Sequence, residues 1–294
     1  MRLAVLDGDR AAIATDTDLY DVTDLLPTSA GPYGGPWLPW LERGGLVADL
    51  RALDLSQCPR HRLGSVALRA PLSRPGKIVA APVNYLDHKV EMHEQKTIAE
   101  YGVFLKANTS VIGPGETVEL PYLDKRTDQE GELAIVVGRT ARNVRVQEAL
   151  DYVVGYTCLL DISVRSTEDR STRKSFDTFT PLGPWIVTAD EVGDPDTLAL
   201  SCWVGGELRQ QTNTCELIFS VAELVSYASS VMTLHPGDVI ATGTPVGVGA
   251  LDDGTSIRLE IDRIGVLEVG VTAETAIAYA DRPGAQLDAR FASK

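Results

Sequence analysis

Cysteine is scarce in this sequence, and nowhere is it grouped with histidine. Cys58, Cys158, Cys202 and Cys215 are the 4 cysteines in 294 residues. No Cys-x-x-Cys occurs, which excludes a zinc ribbon or a dithiol redox motif, and so few cysteines in so long a chain form no disulfide scaffold. Positive charge is also short. Lys and Arg number 27 against 41 Asp and Glu, a net charge of −14, which argues against nucleic acid or an anionic membrane surface as a partner. A few local Arg or Lys residues can still reverse the field inside a pocket. No window reaches the roughly 18 apolar residues of a membrane helix. The first apolar run stops at Asp7, too short for the hydrophobic region of a signal peptide. A cytoplasmic protein is the expectation. Gly-x-Ser-x-Gly is missing, so a nucleophile elbow has no support, and the glycine-rich stretch 237–249 lacks the Lys-Ser/Thr of a phosphate loop.

What is present is ordinary globular material, 44% hydrophobic and 23% charged, enough for one large domain or two smaller ones. Residues 1–71 read as a small N-terminal domain. It has two strands around Asp7-Gly8-Asp9, a Pro- and Gly-rich loop over 25–39 and a short helix within 37–53. A junction at 72–77 opens a larger domain, 72–294. Strands are expected there at 103–106, 117–120, 131–138, 152–161, 185–188, 198–204, 238–242, 256–261 and 265–271. Helical spacing occurs at 84–99, 147–153 and 219–232. Many short strands and few helices predict a β-rich α+β fold, closed or sandwich-like, and not βαβ alternation. The tail from Asp281 is polar and is expected to be loosely held.

Four segments have chemical potential. In Glu130-Gly131-Glu132 two carboxylates stand two residues apart at the mouth of an apolar strand, hence on one face. About 30 residues on, a second apolar run ends in Asp161. If the two strands are neighbours, three carboxylates converge and suit a hard cation, Mg²⁺ or Mn²⁺. Acidic pairs at solvated strand ends are equally familiar, and spacing alone leaves both readings open. His88 and Glu91 share one face of a helix, where a carboxylate can orient an imidazole as a base, or where both are merely exposed. Arg165 to Lys174 is dense in charge. It reads either as a solvated loop or as a source of cations for a substrate carboxylate. The loop through Thr244 offers N–H groups and a hydroxyl to an oxyanion, or is simply a glycine turn.

Together the segments resemble the fumarylacetoacetate hydrolase superfamily, over roughly residues 72–271. The parts stand in that family's order: Asn84-Tyr85-x-x-His88-x-x-Glu91, Glu130-x-Glu132, Asp161-x-Ser163-x-Arg165, Lys174-Ser175-Phe176-Asp177-Thr178-Phe179, and Gly237-Asp238 through Thr242-Gly243-Thr244-Pro245. The resemblance implies a mixed β-sandwich roll with a small N-terminal domain, usually in a homodimer. It implies a divalent metal on Glu130, Glu132 and Asp161, water activation by His88 and Glu91 on a lid, and Lys174 beside the substrate's oxo group. Tyr85, Arg165 and Thr244 are implied as substrate-binding residues. The implied reaction is hydrolysis of a C–C bond in a 2,4-dioxo acid. Decarboxylation and isomerisation of 2-oxo acids are the alternatives that use the same enolate. Two departures stand out. Val83 occupies a place where a basic residue is common, and Glu168 stands near where the family often has glutamine. If Glu168 faced the pocket, it would disfavour a second carboxylate on the substrate.

Overall fold

The computed structural model describes residues 1–28 and 34–284. The end of the polar tail and part of the 25–39 loop therefore lie outside the described residues. The largest sheet holds 12 strands. Its middle is the antiparallel pair Gly131–Val137 and Val153–Leu160, in which Glu132 lies opposite Leu159 and Gly131 opposite Leu160. Beyond Gly131–Val137 come Val239–Ala241, Ile78–Ala80 and Phe104–Lys106, and beyond Val153–Leu160 comes Thr180–Thr188. A second sheet of 5 strands is built on Ala199–Val204, Ser256–Ile261 and Gly265–Thr272.

Both central strands are fully buried, which explains their unbroken apolar sequences. Alternate residues serve different cores. Leu133, Ile135 and Val137 join Leu200, Cys202, Leu259 and Leu267 of the second sheet in one cluster. Ala134 and Val136 face the other way, into a cluster with Leu3, Trp37 and Trp40. The sandwich-like, β-rich α+β expectation is met at this level. The strand Arg2–Leu6 pairs with Thr180–Thr188, Leu3 opposite Ile186, so the N-terminal strands continue the large sheet.

Two elements depart from the sequence reading in an instructive way. The helix expected over 84–99 is two short ones, Leu86–Glu91 and Ile98–Tyr101. His93 takes a left-handed φ of 54°, and Thr97 with Glu100 forms a capping box that starts a new helix. The strand expected over 185–188 begins earlier, as Thr180–Thr188. Pro181 and Pro184 read as breakers, yet a register shift between Tyr156 and Cys158 accommodates the stretch. Val221–Val231 is the amphipathic helix its spacing predicts. It is capped by Ser220 and Glu223, with Val221, Leu224, Val225 and Ala228 buried.

Candidate active site

The antiparallel register sets the site. Glu130 immediately precedes one central strand and Asp161 immediately follows the other, and the Asp161 N–H donates to the Glu130 carbonyl at 2.8 Å. Glu132, two residues along, presents its carboxylate on the same side. One oxygen from each of Glu130, Glu132 and Asp161 lies within 4.8 Å of the others, and all three residues are buried. The adjacency left open by the sequence is therefore real.

Three buried carboxylates need compensating charge. Lys174 Nζ donates to Glu130 at 2.6 Å, to Asp161 at 2.6 Å and to Ser163 Oγ at 2.5 Å, so all its N–H donors are engaged. Arg165 donates to Glu130 at 2.8 Å and to Asp128 at 2.7 Å. Burial alone would raise the Glu130 pKa, but Lys174 and Arg165 outweigh it and hold the carboxyl well below its ordinary value. Glu132 has no such cation. It accepts the Gly243 N–H at 2.7 Å, and burial, reinforced by Asp161 and Glu130, pushes its pKa well up. The donor set thus fits a divalent cation: hard oxygens, buried, close together and incompletely neutralised by the protein. Gly243 N–H, a candidate oxyanion donor in the sequence, is spent on Glu132.

The short helix Leu86–Glu91 places His88 against these carboxylates. His88 Nδ1 and Glu91 Oε2 are 2.9 Å apart, and Glu91 Oε1 accepts the Gly247 N–H at 3.0 Å. Asn84 fixes the approach to this helix through its side chain, donating to the Thr242 carbonyl at 2.8 Å and to the Phe219 carbonyl at 3.0 Å. His88, Glu132, Asp161, Lys174, Arg173 and Thr244 are among the residues lining a cavity of about 40 Å³. Glu91 and Tyr85 are not on its wall. Tyr85 is 1% exposed, wholly inside the fold. Thr244 is on the wall, but its hydroxyl donates to the Gly131 carbonyl at 3.0 Å and accepts from Gln210 at 2.8 Å. Glu168 is elsewhere, bonded to the Tyr279 hydroxyl and beside Arg282. The condition for its effect on a second substrate carboxylate is not met.

Sequence reasoning passed over three residues. Lys106 is buried, pairs with Asp161 and donates to the Phe179 carbonyl at 2.9 Å. Gln210 ties Gly131 to Thr244, accepting the Gly131 N–H at 2.9 Å. Arg173 lines the cavity. A lone lysine closing the apolar pair Phe104-Leu105 was the signal for the first, the charge-dense run ending at Lys174 was the signal for Arg173, and Gln210 had none.

The family model described as "Fumarylacetoacetate (FAA) hydrolase C-terminal" matches residues 77–272. A maleylpyruvate hydrolase of Aquipseudomonas alcaligenes is 44% identical over 283 residues, 92% of this chain and 96% of that protein. The crystal structure of maleylpyruvate hydrolase from Sphingobium sp. SYK-6, in complex with manganese(II) ion and pyruvate, superposes with a TM-score of 0.83 at 40% identity, covering 93% of this chain and 99% of that one. An oxaloacetate tautomerase of Xenopus laevis is 38% identical over 243 residues, 78% of this chain and 76% of that protein. The family model spans well over half of the chain and the maleylpyruvate hydrolase matches nearly all of it, and on that ground the chain belongs to the fumarylacetoacetate hydrolase family.

Proposed function

We propose that this protein is a divalent-metal-dependent hydrolase that cleaves the C–C bond of a 2,4-dioxo acid of the acylpyruvate class, in the catabolism of aromatic compounds. The carrying observation is the buried triad of Glu130, Glu132 and Asp161 with the hydrogen-bonded His88–Glu91 pair beside it. The 44% identity to a maleylpyruvate hydrolase over nearly the whole chain supports the same reading.

Glu130, Glu132 and Asp161 would hold Mn²⁺ or Mg²⁺, which supplies Lewis-acid polarisation of the substrate's 2-oxo group. The Nδ1–H of His88 donates a hydrogen bond to Glu91, so that Nε2 presents its lone pair to a water molecule. His88 takes a proton from that water as its oxygen adds to the distal carbonyl. The bond between C3 and C4 then breaks with its electron pair left on C3, as the enolate of pyruvate. The proton on His88 returns to that carbon, and the acyl part leaves as a carboxylic acid. Lys174 supplies fixed positive charge as the enolate forms. Arg165 holds Glu130 in place, and the Leu86–Glu91 helix serves as the lid that excludes bulk water. Thr244 contributes its remaining lone pair at the pocket wall. Tyr85 acts from within the fold, shaping the pocket.

Residues 1–71 act in this reading as a small unit that buttresses the larger unit, 72–294, through the pairing of Arg2–Leu6 with Thr180–Thr188. We infer further that the enzyme works as a cytoplasmic homodimer. Among the described residues no helix is long and apolar enough to cross a membrane.

A second reading, an isomerase that interconverts the keto and enol forms of oxaloacetate, is favoured by the 38% identity to an oxaloacetate tautomerase. The deciding test follows the enol absorbance of maleylpyruvate and acetylpyruvate with and without Mn²⁺, and assays pyruvate. Pyruvate formed only with metal supports hydrolysis. Accelerated ketonisation of oxaloacetate with no pyruvate from either diketo acid moves the reaction to isomerisation.

A further inference from the structure

Arg165, Arg170, Arg173 and Lys174 line the cavity, and three of them are matched to acids. Arg165 holds Glu130 and Asp128, Lys174 holds Glu130 and Asp161, and Arg170 pairs with Glu94 at 3.2 Å and lies over the Tyr101 ring. Arg173 is different. Among the described residues no carboxylate comes within 4.0 Å of it, and its Nε is shut from solvent with no hydrogen-bond partner. Its helix, Arg170–Arg173, is fixed by the Asp169 side chain accepting the Ser171 N–H at 2.8 Å. The next residue, Lys174, reaches the carboxylate triad. Arg173 is thus a fixed cation of the metal pocket, placed by the same turn of chain that places Lys174.

Arg173 is half-buried, with its Nε shut from solvent, and a guanidinium does not shed its proton, so an anion at this place is favoured. The wall carries as many cations as acids, and the buried Lys106 adds a further cation on Asp161. Four acids on the wall, Glu94, Glu130, Glu132 and Asp161, face the four fixed cations. A divalent ion on the triad adds two positive charges. A 2-oxo monoacid cancels half of that excess, and a diacid cancels all of it. The carboxylate adjoining the oxo group belongs at the metal. A second carboxylate, at the far end of the substrate, then meets Arg173, whose planar donors suit it.

Resting on the proposed reaction, we propose that Arg173 is the specificity-determining residue that binds the second carboxylate of a 2,4-dioxo diacid, such as the far carboxylate of maleylpyruvate.

The test uses the full-length protein loaded with Mn²⁺ and two probes with no cleavable bond, so that binding is read apart from hydrolysis. 2-Oxoglutarate and 2-oxopentanoate differ only in a terminal carboxylate against a methyl group. Calorimetry on the wild type should show at least tenfold tighter binding of 2-oxoglutarate. Arg173→Gln should reduce that ratio to about one, with the loss falling on the diacid, and Arg173→Lys should keep part of the preference. A wild type that does not discriminate overturns the proposal, as does a ratio unchanged in Arg173→Gln. An equal loss for both probes also overturns it, since Arg173 would then serve the carboxylate common to both or only the shape of the pocket. The hydrolase reading stands or falls separately, on pyruvate release by the wild type. Failure of the Mn²⁺-loaded wild type to bind either probe overturns the assignment of Arg173 and leaves the hydrolase reading to the pyruvate assay.

Discussion

The Gly247 N–H donates to Glu91 Oε1 at 3.0 Å, joining residues 156 positions apart in the chain. The same carboxylate orients His88 through its other oxygen. Gly247 has a φ of +102°, and a Cβ there would lie 1.9 Å from the Arg209 carbonyl oxygen. No side chain fits without moving the loop. Gly247→Ala should therefore detach Glu91, lowering kcat by about 10-fold or more within the range of general-base effects, while Mn²⁺ affinity measured by calorimetry stays within about twofold. A matched loss of metal binding would show that the loop supports the triad instead.

Glu91→Gln preserves shape but removes the negative charge that stabilises a protonated His88. Hydrolysis should fall about 10²-fold or more, with metal binding retained. Turnover at the wild-type rate would remove His88 and Glu91 from the proton-transfer role.

Lys106 is one of two lysines on Asp161, and its side chain is 0% exposed. Lys106→Met leaves that carboxylate with one cation in place of two, at a cost of about 3 kcal/mol for breaking a buried pair. A bound metal ion restores the missing charge. Thermal melts should show a lower Tm for the metal-free variant and a larger upward shift on adding Mn²⁺ than the wild type gives. An equal shift in the two proteins would argue that Lys106 is not coupled to the metal site.

A pH effect is expected far from the site, at Asp21. This residue is buried, pairs with Arg10 and accepts the Thr23 N–H at 3.1 Å and the Thr23 hydroxyl at 2.7 Å. Burial would raise its pKa, but these partners outweigh it and hold the folded value below the ordinary 3.8. The resulting stability is present above the unfolded value and is lost as pH falls through the folded one. Asp21→Asn should cost roughly 1–3 kcal/mol at neutral pH. Urea unfolding at successively lower pH should show the gap between variant and wild type closing below about pH 4.

The shared face of Glu130 and Glu132 was legible because strand geometry is short-range, but spacing left a metal site and a solvated strand end both open, and the family resemblance chose between them. A spacing of two puts Glu130 and Glu132 on one side of a strand whatever surrounds it, and only the pairing with the strand before Asp161 had to be supplied by the fold. Helix spacing likewise put His88 and Glu91 on one face, while their role came from the resemblance. Lys106 and Arg173 were not legible in this way. The partner of Lys106 is 55 residues away, and Arg173 sits in a charge-dense segment that reads either as solvated or as a source of cations until tertiary packing half-buries it at the cavity. The strand Glu207–Asn213 was missed because its sequence, Glu-Leu-Arg-Gln-Gln-Thr-Asn, is polar. It lies at the end of its sheet, paired on one side with Ala199–Val204, and needs no apolar alternation.

The two ligand-bearing strands have hydrogen-bonded neighbours on both sides, whereas the helix carrying His88 is six residues long, with Leu86 66% and Val90 74% exposed. Such elements open with different free energies. Amide hydrogens of Ala134 and Leu159 should exchange with solvent only when the whole molecule unfolds, and those of Lys89 and Val90 through local fraying. Cation capture and proton transfer therefore rest on parts of unequal durability. Gentle warming should abolish turnover first, leaving a protein that still takes up Mn²⁺ and regains activity on cooling.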